Sequence, residues 1–201
     1  MSSNVSPDIS AKTTPQRRPV PALMTLTNAT RPRRPAGART ATAVDAFSSY
    51  AAAVTLLQPL GLSQPLRADQ LDDLRALADE IRAIIEALVD NRRPPGCPTL
   101  NRFSAQATAT QTLRIGAQGA LSVDVRWQAA GALAELACQI VTEFSGLDPA
   151  RLHYCAREAC DLLFYDTTRS RSQRWHSESP CGLRERQDRW RKMADPGAVI
   201  A

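Results

Sequence analysis

The sequence predicts an α+β fold: a small domain of helices with one β-hairpin, followed by a C-terminal module of a different kind. Three observations carry this. Apolar residues recur with a helical period over much of 43–144. Between 112 and 126 that period drops to two. Three of the five cysteines and one of the two histidines crowd into residues 155–181. The chain has 201 residues, 43% of them hydrophobic and only 5% aromatic, enough for one modest core of Ala, Leu, Val and Ile.

The elements follow in order. Residues 1–20 are rich in Ser, Thr and Pro without apolar periodicity, which predicts a disordered tail. Residues 31–39 hold Pro32, Pro35 and several arginines and read as a solvated basic loop. Over 43–57, Val44, Phe47, Tyr50, Ala51 and Val54 stand at helical spacing, and Pro59 stops the run. Residues 69–89 are the clearest helix. Leu71, Leu74, Leu77, Ala78, Ile81, Ile84, Ile85 and Leu88 form one stripe, opposite Asp72, Asp73, Arg75, Asp79, Glu80, Arg82 and Glu86. Three prolines and a glycine over 91–98 end it. Leu113 and Ile115, then Leu121, Val123 and Val125, alternate with polar residues about a turn at 116–119, a β-hairpin. A helical period returns over 128–144 through Ala130, Leu133, Ala134, Ala137, Ile140, Val141 and Phe144, closed by Gly146 and Pro149. The expected unit over 21–148 packs these helices on a short sheet.

Composition narrows the function. No apolar run approaches the ~18 residues of a membrane helix, and the start is a poor signal peptide because Pro21 breaks a short apolar stretch. A reducing, cytoplasmic setting is therefore expected, with no membrane partner. Two histidines leave little room for Ser-His-Asp or Cys-His catalysis, and no phosphate-binding glycine loop or HExxH pattern is present. The carboxylates of 69–89 sit on the solvated helix face, so the expectation is a protein that is not an enzyme. The net charge of +5 is unevenly placed: residues 1–45 carry +5, 46–150 carry −3 and 151–201 carry +3.

The C-terminal cluster reads C-x4-C-x15-H-x4-C: Cys155, Cys160, His176 and Cys181. Each close pair supplies two ligands from one turn of backbone, and the intervening loop returns the second pair to the first. Three thiolates and an imidazole saturate the four tetrahedral positions of one Zn2+, leaving none for a catalytic water, so the zinc is expected to be structural. His153 reads as a surface residue beside this set. Cys97 and Cys138 read as bystanders, a surface thiol and a small buried hydrophobe. Residues 162–165 form an apolar strand, 166–173 a polar turn, and 174–176 a return strand delivering His176. Ser179 and Pro180 suit the N-cap and first position of a helix that runs to about residue 193. Leu183, Trp190 and Met193 share a stripe on that helix, facing Phe164 and Trp175. The order of knuckle, hairpin and helix predicts a treble-clef-like zinc finger over 149–194, with a short tail at 195–201.

These residues resemble a known family. Cys155-Ala-Arg-Glu-Ala-Cys160, Leu163-Phe164-Tyr165-Asp166, Arg174-Trp175-His176-Ser177 and Cys181-Gly182-Leu183-Arg184 are similar to the CGNR zinc finger. The preceding part is similar to the α+β ABATE domain found upstream of this finger in bacterial proteins, with Leu26-Thr-Asn28-Ala-Thr30 echoing its Leu-x-Asn-Thr start. The resemblance implies a stress-related transcription regulator whose finger binds DNA and whose upstream domain senses a small-molecule effector. It places the zinc ligands at the same four residues. Arg184 matches the arginine of the name motif, Leu183 stands where the family has Asn, and His176 stands where many members have Cys.

Residues 167–192 hold 8 basic and 3 acidic side chains. Arg169, Arg171 and Arg174 on the hairpin side, with Arg184, Arg191 and Lys192 on the helix, are the candidate contacts to double-stranded DNA. A zinc-stabilised protein-interaction module is the alternative, with Trp190 as an exposed anchor. A single finger gives a short footprint, which a homodimer or the basic tail would extend.

Overall fold

The computed structural model describes residues 19–30, 32–33, 42–43, 45–157 and 160–194. Residues 1–18 of the expected tail, 31 and 34–39 of the basic loop, and the tail at 195–201 lie outside the described residues.

The described elements run α1 (Pro21–Ala29), β1 (Pro32–Arg33), β2 (Thr42–Ala43), α2 (Tyr50–Leu57), α3 (Leu71–Val89), α4 (Pro98–Ser104), β3 (Ala107–Ile115), β4 (Leu121–Ala129), α5 (Ala132–Ser145), β5 (Leu152–Tyr154), β6 (Leu163–Tyr165) and α6 (Leu183–Ala194). The strands form three antiparallel pairs, β1–β2, β3–β4 and β5–β6. The mixed α+β content agrees with the sequence. No helix among the described residues is long and apolar enough to cross a membrane.

Helices α1, α3, α4 and α5 pack on one another around Leu23, Leu26, Leu74, Leu77, Ile81, Leu133, Leu136 and Ile140, all fully buried. The apolar stripe of α3 faces this core as its spacing requires. The core continues into Leu152, Leu163 and Tyr165 of β5 and β6, so the C-terminal strands share the apolar interior of the helices. Asn28 of α1 fastens that junction. Its side-chain amide donates to the Leu163 carbonyl at 3.0 Å and accepts from the Leu163 N–H at 3.1 Å, standing in for a strand neighbour.

Several expectations change. Helices α1 and α4 were not legible, because Pro21 and Pro98 read as breakers. Each is the first residue of its helix, where a missing N–H costs nothing. The first expected helix begins at Tyr50 rather than 43. Asp45 accepts from the Phe47 N–H at 2.8 Å and holds a turn, and the Ser49 hydroxyl then caps the helix. Helix α5 starts at Ala132, because 128–129 still belong to β4. The helices do not cover the hairpin. They touch only its base, and its distal half projects into solvent.

Candidate metal centre

The four cluster residues come from four consecutive pieces of the C-terminal segment. Strand β5 ends at Tyr154 and delivers Cys155; Cys160 closes the next loop before β6 begins at Leu163. The Cys155 N–H donates to the Leu162 carbonyl at 2.8 Å and the Cys160 N–H to the Arg157 carbonyl at 2.8 Å, folding a knuckle between them. After β6, residues 166–175 return the chain, and the Ala156 N–H donates to the Arg174 carbonyl at 2.8 Å, which sets His176 beside the knuckle. Cys181 lies in a wide turn, Glu178–Gly182, ahead of α6.

The ligand atoms of Cys155, Cys160, His176 and Cys181 all lie within 4.8 Å of one another, and the four residues form a candidate metal-binding site. Cys160 Sγ and His176 Nδ1 are 3.4 Å apart. A tetrahedral ion with bonds of ~2.0–2.3 Å needs donors ~3.3–3.8 Å apart, so the set fits with small closure. Cys155 and Cys181 are buried, and the other two are half-buried. Burial, reinforced by the neighbouring Cys155 and Cys181 sulfurs, pushes the Cys160 thiol up to about 12. Burial and the nearby Cys155 also raise Cys181. Sulfurs this close oppose one another's ionisation, and a divalent cation at their centre reverses the sign of that effect.

Two residues to which the sequence assigned no role hold the loop in place. Asp166 is fully buried. Its carboxylate accepts from the Thr168 N–H at 2.7 Å, the Thr168 hydroxyl at 2.6 Å and the Gln173 N–H at 3.0 Å. Burial opposes its charge, yet those donors and the Arg151 cation outweigh burial and hold it below the usual carboxylate range. Arg151, also buried, donates to the Asp166 carbonyl and the Thr168 carbonyl, each at 2.9 Å. The Asp-x-Thr spacing at a strand end is a local turn signature that would have revealed Asp166. Arg151 has no comparable signal.

This network explains why no return strand forms at 174–176. The backbone groups there are taken by side chains and the knuckle, and β6 pairs instead with β5, Leu152 opposite Tyr165. The expected helix start also moves. Ser179 is extended, the Ser179–Pro180 peptide is cis, and α6 begins at Leu183. Leu183, Trp190 and Met193 are exposed rather than packed on Phe164 and Trp175. Helix α6 leans mainly on the preceding turn, through the Arg186–Glu178 ion pair, and on the knuckle through Arg157–Asp188 at 3.6 Å. His153 packs against Phe164, with ring centroids 5.8 Å apart, and stands outside the cluster. Cys97 and Cys138 are also outside it, each half-buried.

The six basic candidates divide. Arg169, Arg174 and Arg184 are exposed and form no ion pair among the described residues. Arg171 pairs with Asp148 at 3.0 Å and Arg191 with Asp188 at 3.7 Å. The side chain of Lys192 lies outside the described residues.

Residues 151–193 match the family described as the CGNR zinc finger. No curated protein matches the chain. The matched segment contains all four cluster residues and both loop-holding residues, so a zinc finger segment with a candidate zinc site occupies the C-terminal part of the chain.

Proposed function

We propose that the chain is a DNA-binding transcription regulator whose finger is built on one structural zinc, held by Cys155, Cys160, His176 and Cys181. The zinc reading rests on the donor set: three sulfurs and one imidazole fill a tetrahedron and leave no corner for a reacting water. The order of knuckle, β5–β6 hairpin and α6 supports a treble-clef assignment. The observation that carries the DNA reading is a trio of exposed arginines without ion pairs among the described residues, Arg169, Arg174 and Arg184, on a segment held by Asp166. Their guanidiniums meet phosphates, and one reaches a guanine edge. Arg171 and Arg191 join them by releasing Asp148 and Asp188.

A gel-shift titration with zinc-loaded protein across salt tests this. Four phosphate contacts, the fifth arginine being at the guanine edge, give a log–log salt slope of about −3.6 for duplex DNA. Absence of binding at low salt overturns the reading. The ABATE-like role of the upstream part as an effector sensor is part of the same proposal. A cleft of about 630 Å³ between α5 and the hairpin base, lined by Leu60, Ala107, Ala129, Cys138 and Val141, is where a small apolar effector would bind.

One observation favours a second reading, a protein-interaction module. Leu183, Trp190 and Met193 leave an apolar row exposed along α6. Charge reversal at Arg184 and Arg191 separates the two. Loss of DNA binding with the zinc content intact supports the first, and loss of a protein partner with DNA binding intact supports the second.

A further inference from the structure

Strands β3 and β4 pair over nine residues without a break, from Ala107 opposite Ala129 to Ile115 opposite Leu121. Alternation sorts the two faces of this ribbon sharply. On one face the distal half carries Leu113 opposite Val123 and Ile115 opposite Leu121, with no charged residue among them. The other face carries Thr110, Thr112, Ser122 and the Arg114–Asp124 ion pair at 2.6 Å. The polar face is dressed for water. The apolar face is in water all the same: Leu113 is 60%, Ile115 73%, Leu121 67% and Val123 60% exposed.

A row of this kind calls for a cover, because a lone two-stranded ribbon is marginal in water. The helices reach only its base. Segments 1–18, 34–41 and 195–201 offer no matching row: 1–18 hold Val5 and Ile9 as their only aliphatic residues beyond Met1 and Ala11, 34–41 hold only alanines, and 195–201 hold Val199 and Ile200 side by side. The exposed row of Leu183, Trp190 and Met193 lies on a short helix crowded with arginines, whereas a second ribbon matches the first in length, spacing and lack of charge.

We propose that the chain forms a homodimer in which the apolar faces of two β3–β4 ribbons stack about a two-fold axis. Such an interface is isologous and demands a patch that complements itself, which an uncharged aliphatic row does. Stacked ribbons lie ~10 Å apart, the ordinary spacing of packed sheets. Four side chains offering on the order of 100 Å² each bury about 800 Å² across the pair. Ala109 and Gln111, exposed on the same face of β3, bring the total to ~1,000 Å², the lower bound of a specific interface. The Arg114–Asp124 pair stays on the outer faces. This interface rests on neither the zinc reading nor the DNA reading.

Sedimentation of the full, zinc-loaded chain from about 1 to about 100 µM tests it. The expected mass is that of two chains, one chain being 21.9 kDa. Val123→Lys sets two like charges against each other in the stacked faces and is expected to weaken association at least 100-fold, with zinc content and far-ultraviolet circular dichroism unchanged. Val123→Thr keeps a β-branched residue, should the lysine variant misfold, and is expected to weaken association about tenfold. Thr110→Lys, on the polar face, leaves the dimer intact. A single-chain mass at the highest concentration overturns the proposal. So does a folded Val123→Lys or Val123→Thr protein that dimerises as the parent does.

Discussion

Replacing Asn28 is expected to loosen the C-terminal segment from the helical body, although Asn28 touches none of the cluster residues. Its amide makes three bonds: Nδ2 donates to the Met24 and Leu163 carbonyls, each at 3.0 Å, and Oδ1 accepts from the Leu163 N–H at 3.1 Å. Leu163 is buried, so water cannot take over at its backbone. Asn28→Ala leaves one buried donor and one buried acceptor unpaired, about 1–3 kcal/mol each, or about 3 kcal/mol after partial relaxation. In a chain of this size that lowers the unfolding midpoint by about 6–12 °C. Asn28→Asp is the sharper variant. It keeps the acceptor for Leu163 N–H but aims a carboxylate oxygen at two carbonyls, and is expected to cost at least as much as alanine. Thermal and urea unfolding of zinc-loaded protein, followed by circular dichroism, read both. A change below about 0.5 kcal/mol for alanine, or an aspartate variant as stable as the parent, would refute the clamp.

Other consequences concern the loop, the first helix and the metal. Asp166→Ala strips three donors and the Arg151 charge of their acceptor and is expected to cost about 3 kcal/mol. Trypsin should then cut faster at Arg169 and Arg171. Because Asp166 ionises below the usual range in the fold, its contribution is present above the ordinary aspartate value and fades as pH falls through the folded one. Glu143 of α5 accepts from the Ala22 and Leu23 N–H groups at 3.0 and 2.8 Å, capping α1 from another helix. Glu143→Ala is expected to cost about 1–2 kcal/mol in chemical unfolding. Burial raises the Glu143 carboxyl despite those bonds, so the fold loses stability as pH climbs from the ordinary glutamate value through the raised one. Glu143→Gln keeps an acceptor and abolishes that slope. From sequence, a chelator is expected to unfold 150–193 and spare the rest. With Leu152, Leu163 and Tyr165 in the common core, chelation should also lower the midpoint of the helical body, read by the helical signal in the same melt.

What could be read from the residues follows physical lines. The α3 stripe, the hairpin alternation and the cysteine spacing are strong local signals, and each appears in the structure at or near its expected place. Prolines misled, because Pro21 and Pro98 carry the same local meaning whether they end one segment or begin another, and only the next helical turn decides. The alternation of β3 and β4 marks which residues share a face but not whether that face finds a cover. Here it does not, and the four aliphatics meant for a core stand in solvent. The chemistry of the cluster was legible because thiols and imidazole have few other uses at such spacing. Of the supports, Asp166 carries a local Asp-x-Thr signature, whereas Asn28 and Arg151 reach partners 135 and 15 residues away in sequence. No local period reports such partners. The stripe of Leu183, Trp190 and Met193 shows the opposite failure, a helical spacing that indicates an apolar face with no neighbour to receive it.

The central claim is that four side chains, Cys155, Cys160, His176 and Cys181, hold one zinc ion that organises the C-terminal segment. Elemental analysis of the purified full chain tests this most directly, run beside a Cys155→Ser, Cys181→Ser double variant. One zinc per chain in the parent and near none in the variant is the expected result. Equal metal content in the two proteins would contradict the claim.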